Sequence, residues 1–301
     1  MAAAGWLGVL RSHQSRVEEA LALLRPAARG QIGVEHTSAT MHSLLFTGHA
    51  HALAGRPAQA LAAFTRYTAE VERRHVPRFA GRAVNFAGWV LRNLGADEEA
   101  LDHHREALEA GQGQGTADVT IAALEDLAEH CVVTGDPDGA RARLAEASAL
   151  LVGNLVFGWR LRLKHRLLTG RLALLAGDGE RALSEARELE SQAAALGVPR
   201  YTGVARLLAH RARHALGGPA DPDAVAADLD LLDGAAAIEA WWWTCDLAGD
   251  FGQPAWRERG ADRAARLARA AGDFADGLLR AADRRLTLAG QRQVSSRRSA
   301  Q

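Results

Sequence analysis

Leu53-Ala54-Gly55-Arg56-Pro57-Ala58-Gln59-Ala60-Leu61 reads as the end of one helix, a stop, and the first turn of the next. The glycine supplies the left-handed backbone that closes a helix, and Pro57 suits a first helical position, where a missing N–H costs nothing. The same order of events recurs in Leu94-Gly95-Ala96-Asp97-Glu98-Glu99-Ala100-Leu101 and in Gly135-Asp136-Pro137-Asp138, where Asp136 is placed to cap the new helix. The spacing is regular. Gly55, Gly95 and Gly135 stand 40 residues apart, Gly177 follows after 42 and Gly217 after 40, and Ser15 holds the equivalent place 40 before Gly55.

Three further columns keep step with these turns. Seven residues before each lies a small residue, Gly8, Gly48, Gly88, Ala128 and Gly170; five after comes Ala20, Ala60, Ala100, Ala140 and Ala182. Nine after come Leu24, Phe64, His104, Leu144 and Ala186. A small residue inside each first helix lets its partner approach closely, and the alanine packs where two helices cross. The pattern predicts a stack of helical hairpins, each burying its apolar stripe against the next.

Composition agrees. The 301 residues include 64 alanines but only 3 isoleucines, rich in the best helix former and poor in the β-branched residues that sheets favour. The 36 basic side chains balance 36 acidic ones, so no net charge draws the chain to nucleic acid or an anionic membrane. The basic tail arginines, Arg292, Arg297 and Arg298, predict at most weak, salt-dependent association with DNA. No run approaches the ~18 apolar residues of a membrane span, and Met1 to Leu10 lacks the pattern of a signal peptide, which places the chain in the cytoplasm. Cys131 and Cys245 each sit in an apolar run and read as buried free thiols.

The turn glycine, small residue and crossing alanine resemble the tetratricopeptide repeat. The period of 40 rather than 34 resembles the repeat regions of bacterial LuxR-family and STAND-type ATPase transcriptional regulators, as does the connector Ala195-Leu196-Gly197-Val198-Pro199-Arg200. The resemblance is clear over residues 2–190 and looser over 200–289. It implies an all-α protein: a right-handed α-solenoid of about seven hairpins with a C-terminal capping helix. The repeat domain then covers 1–290, and 291–301 reads as a basic disordered tail. The sixth hairpin spans Tyr201 to Ala215 and Asp223 to Leu232, the seventh pairs Ala235 to Ala248 with Trp256 to Ala271, and Phe274 to Leu288 forms the cap.

No catalytic motif is present. The sole lysine, Lys164, follows Leu163 rather than a glycine-rich loop, so the nucleotide-binding core of those regulators has no counterpart here. With no helix-turn-helix either, the expectation is a fragment, or a chain acting with a separate effector. Gly111-Gln112-Gly113-Gln114-Gly115 follows a helix rather than a strand and reads as a connection between repeats. His210 and His214 share a helix face four apart but lack a third ligand, so neither a metal nor a cofactor is expected.

First helices of tetratricopeptide stacks line a concave groove. Positions thirteen, ten, six and three before each turn glycine give His42, Leu45, His49 and Ala52, then Arg82, Asn85, Trp89 and Arg92. The next two repeats give Ala122, Glu125, Glu129 and Val132, then Lys164, Leu167, Arg171 and Leu174; a helix ending at Gly249 adds Glu239, Trp243 and Asp246. The candidate ligand-binding residues are therefore His42, His49, Arg82, Asn85, Trp89, Arg92, Glu125, Glu129, Lys164, Arg171 and Trp243. Consecutive helix residues point about 100° apart, so Trp241, Trp242 and Trp243 cannot share one face. The reading is a non-enzymatic scaffold that binds a protein, a peptide or a small effector, with a homodimer compatible and no direct nucleic-acid or membrane partner. The alternative is a small-molecule binder or enzyme using the groove as its pocket, with Glu125, Glu129, Arg82 and Arg92 as its polar groups.

Overall fold

The computed structural model describes residues 2–29, 37–155, 157–219 and 221–299, and among these residues it contains helices and no strand. Five hairpins follow the columns: α1 (Ala2–His13) with α2 (Val17–Ala28), α3 (Thr37–Leu53) with α4 (Pro57–Arg73), and α5 (Arg82–Asn93) with α6 (Asp97–Gly113). The fourth is α7 (Ala117–Thr134) with α8 (Pro137–Leu150), and the fifth α9 (Gly158–Leu175) with α10 (Gly179–Leu196). The chain continues as α11 (Pro199–Ala215), α12 (Pro222–Phe251), α13 (Pro254–Ala268) and α14 (Ala275–Ser299).

Every turn residue of the repeat has the positive φ assigned to it, from 59° at Ser15 to 82° at Gly217. Asp136 caps α8 by accepting from the Gly139 N–H at 2.9 Å. Asp178 and Asp221 do the same for α10 and α12.

Two of the sequence columns prove to be one contact. A Cβ on Gly8 would stand 2.8 Å from Leu24, one on Gly48 2.3 Å from Phe64, and one on Gly88 2.7 Å from the His104 ring. The small residue of each first helix thus makes room for the large residue nine after its own turn. Ala128 and Leu144 repeat the pairing in a small apolar cluster. In the fifth hairpin Ala186 replaces the large partner, and Leu208 of α11 fills the space over Gly170, where a Cβ would meet it at 2.7 Å. Substituting Gly88→Leu is expected to cost about 1–3 kcal/mol through overpacking against His104 and the Ala100 carbonyl, read as a lower thermal midpoint.

The helices divide by burial. First helices bury nearly all faces, as in α3, because they face their own partner on one side and the interior of the superhelix on the other. Second helices bury one stripe, such as Ala100, His104, Ala107 and Gly111 on α6. The main core joins side chains from Val9 to Leu94 with others from Leu163 to Ala282, and the fourth hairpin between them packs into two smaller clusters around Ile121 and Ala128.

The C-terminal part differs from expectation in three ways. The helices expected at Asp223 to Leu232 and Ala235 to Ala248 are joined through a kink at Ala236, so no turn separates hairpins six and seven. The second half runs past Gly249 to Gly252, which carries the positive φ of the repeat turn. The backbone of α14 stays helical to Ser299, beyond Leu288. Cys131 is half-buried rather than buried, near the end of α7 beside the Asp136 cap, whereas Cys245 is buried.

The stack closes on itself. Ser15 Oγ donates to the Ala235 carbonyl at 2.9 Å, Gly55 lies against Ala237, and a Cβ on Gly95 would meet Ala281 at 2.3 Å. The turns of the first three hairpins therefore seat α12, whose second half fills the centre of the superhelix, and α14, which packs through a single stripe around Leu278, Ala281 and Ala282.

Candidate functional site

The first helices do converge, and they bring ten of the eleven candidate residues into burial; Arg82 is the half-buried exception. The expected open groove is filled at mid-height. Glu129 accepts from Arg92 Nη1 at 2.5 Å and from Arg171 Nη1 at 2.6 Å. One turn along, Asp126 binds Lys164 and accepts from Asn85 Nδ2 at 2.8 Å, while Asn85 Oδ1 lies 2.8 Å from His104 Nδ1. Glu239 on α12 takes both Arg200, at 2.9 and 2.5 Å, and the Trp89 indole N–H at 2.9 Å. Charges that would line an open groove are instead paired across it, because α12 brings an acid and three tryptophans into the interior.

Burial alone would raise these carboxyls. The guanidiniums of Arg92 and Arg171, with Lys164, outweigh it and hold Glu129 down to about 2. Lys164, His104 and Arg92 likewise hold Asp126 low against its burial. Glu125 fares differently. It is 0% exposed, neither oxygen has a hydrogen-bond partner among the described residues, and His165 Nδ1 stands 3.7 Å away. Burial pushes its carboxyl well above the usual range.

A carboxyl raised in the folded state costs no stability below its unfolded pKa of about 4.5, and an increasing amount as pH climbs from there to the folded value. Glu125→Gln removes the titration and is expected to be more stable than the wild type at pH 7. The gain should shrink to nothing by about pH 4; thermal melts across that range check it.

The remaining candidates border the mid-height layer. His42 Nδ1 donates to the Ser38 carbonyl at 2.7 Å, and His49 Nδ1 lies 2.8 Å from Ser12 Oγ. Both histidines belong to a ring cluster with Phe46, Phe86 and Phe157. Arg82 makes a two-pronged pair with Asp118 at 3.1 and 2.9 Å. Trp243 is fully buried and stacks on Trp242 at 4.9 Å. Because the helix ends at Gly252 and not Gly249, Trp242 takes the groove position ten before the turn. There it lies under Arg171, 4.8 Å from its guanidinium, and donates to Asn93 Oδ1 at 2.8 Å. All three tryptophans are buried, since the centre of the superhelix surrounds the helix on every side.

Beyond this layer the groove opens into a cleft of about 570 Å³ between the C-terminal ends of α7, α9, α11 and α12. Arg171, Arg211 and Asp246, six before their turn glycines, face it together with Val132, Leu174 and His214, three before theirs. Val133 and Leu175 add apolar surface, 36% and 41% exposed. Arg211 pairs with Asp246 at 2.9 Å and Asp250 at 2.5 Å, and Arg285 reaches Asp246 at 3.3 Å.

Sequence reasoning missed Asp126, Arg200 and Arg211. Arg211 was within reach of the column rule, being six residues before Gly217. Asp126 carried a weaker signal, as an acid embedded in the apolar run of α7, where burial demands a partner. Arg200 stands in the first turn of α11, seventeen before Gly217, outside the four positions counted back from each turn. His210 pairs with Asp228 at 2.9 Å and His214 packs on Phe251; no cluster of potential metal ligands occurs among the described residues. No described helix is long and apolar enough to cross a membrane.

No family model matches the chain, and no curated protein matches it. Among solved structures it is similar to a Rap protein complexed with competence and sporulation factor, with a TM-score of 0.65 and 17% identity. The match covers 91% of this chain and 75% of that one. The likeness establishes the fold: a solenoid of tetratricopeptide-like helical repeats.

Proposed function

We propose that the protein is a non-enzymatic scaffold whose open cleft binds a peptide or an extended segment of a partner protein. The observation that carries this reading is the cleft itself. Its volume falls within the usual few hundred Å³ of a ligand site, and it sets exposed Val133 and Leu175 beside Arg171 and the Arg211, Asp246 and Asp250 ion-pair cluster. Apolar side chains of a peptide fit the first strip, and its backbone amides and charged groups fit the second. The Rap structure is a precedent for this architecture holding a second molecule. The resemblance of the repeats to LuxR-family and STAND-type regulators supports a cytoplasmic role in transcriptional regulation, with the output carried by the partner.

The enzyme reading has less support. Glu125 has the raised carboxyl of a general acid, yet it lines neither this cleft nor the cavities of the opposite end.

A random peptide library displayed on phage and panned on the immobilised chain tests the proposal. Leu175→Glu is expected to weaken the enriched peptides by about tenfold or more while leaving stability within about 0.5 kcal/mol, because Leu175 is largely exposed. Enriched peptides that bind Leu175→Glu and Arg211→Ala as well as the wild type, or no enrichment at all, would sink it.

A further inference from the structure

At the other end of the first helices, above the mid-height layer, two small cavities of about 30 and 20 Å³ share Asn85, Phe86 and Arg160 as common walls. The outer one has an apolar side, with Leu45, Phe46, Val119 and Phe157, and a polar side that holds the Arg82–Asp118 pair. The inner one holds three cations, and their partners differ. Lys164 is bound by Asp126 and Arg200 by Glu239. Arg160 has no carboxylate within ion-pair distance among the described residues; its guanidinium lies 5.2 Å from the centre of the Phe86 ring. Tyr201, on the inner wall, is 2% exposed, and its hydroxyl has no hydrogen-bond partner among the described residues.

An unpaired cation and an unpaired buried hydroxyl on one small cavity are two unmet demands. A hydroxyl buried without a partner is destabilising until an acceptor reaches it. One acceptor with a single negative charge meets both, and in the neighbouring chamber, where Arg82 and Asp118 already pair with each other, Leu45, Phe46, Phe86 and Val119 offer an apolar wall to whatever the acceptor carries. We infer that this pair of cavities binds a monocarboxylate bearing an aromatic or branched apolar group, its carboxylate on Arg160 and the Tyr201 hydroxyl and its apolar group between Phe46, Phe86 and Val119. The α-carboxylate of a peptide ending in an apolar residue and a free carboxylic acid share this chemistry. A phosphate dianion fits less well, since the other two cations are already committed.

The chambers are each of a size for one or two waters, so the apolar group displaces an occupant. Phe157 is that occupant. It lies 5.2 Å from Phe46 and 5.9 Å from His42, ring to ring, and its backbone holds a left-handed φ of 55° just before Gly158. The pair of cavities lies apart from the open cleft, and its binding stands or falls independently of it.

Titration calorimetry on the full chain with 3-phenylpropionate, 3-phenylpropionamide, and acetyl-Gly-Gly-Phe with a free or an amidated C-terminus tests the inference. The free carboxylates are expected to bind about tenfold or more tighter than the amides. Arg160→Gln should erase that difference with an unchanged melting temperature, and Tyr201→Phe, which keeps the ring, should reduce it several-fold. Tighter binding of the peptide acid than of phenylpropionate assigns the site to a chain terminus, and the reverse order assigns it to a free acid. Acid and amide binding alike, no binding by any probe, or discrimination that persists in both variants would overturn the assignment.

Discussion

Glu129→Ala is expected to remove about 3–5 kcal/mol of folding stability. The carboxylate is buried and is the common partner of Arg92 and Arg171, both buried themselves, with Lys164 3.8 Å away. Deleting it leaves the buried Arg171 guanidinium without a carboxylate at the inner wall of the cleft and leaves Arg92 with only Asp126, at 3.5 Å. The exposed pair Arg141 with Asp138 gives the contrast: Asp138→Ala should change stability by less than about 1 kcal/mol, since solvent screens that pair. Urea unfolding followed by far-ultraviolet circular dichroism separates the two cases. A loss at Glu129 no larger than at Asp138 would mean that water enters the layer and that the groove is open at mid-height.

Trp241→Ala is expected to cost about 3–5 kcal/mol, as large buried aromatics do. Its placement adds a second consequence. The Trp241 indole donates to the Asn93 carbonyl at 2.9 Å and Trp242 donates to the Asn93 side chain, contacts that join the seventh hairpin to the third. Losing the indole loosens the seam that closes the superhelix, so the variant should show a larger radius of gyration by small-angle scattering as well as a lower midpoint. Trp241→Phe keeps most of the apolar area and should lose only the hydrogen bond, about 1 kcal/mol. Equal losses for alanine and phenylalanine, or an unchanged radius in the alanine variant, would show that Trp241 fills local space without holding the closure.

Much of the site was legible because the repeat makes position along a helix equivalent to position in space. Once Gly55, Gly95, Gly135 and Gly177 are aligned, counting back gives residues that point inward, and they do meet. The count failed where the repeat did. Beyond residue 200 the turn of the seventh first helix moved from Gly249 to Gly252, which exchanged Trp243 for Trp242 at the groove position. A three-residue error rotates a helix by most of a turn, enough to name the neighbour of the residue that matters.

The sequence by itself determined the hairpins, their turns and their close contacts. These are local: a glycine with positive φ, an aspartate cap, and a small residue facing a large one across a single turn all lie within about 25 residues, and their physics depends on nothing farther away. Only the tertiary structure decided whether the concave face is a groove or a core. That depends on how tightly the superhelix winds, the sum of many small rotations between hairpins, and on whether a distant helix fills the space they leave. Here Ser15, Gly55 and Gly95 admit α12 and α14 closely enough for Glu239 to reach Trp89, 150 residues away, and residues spaced like a binding surface become a buried ionic layer with a cleft at one end and two small cavities at the other.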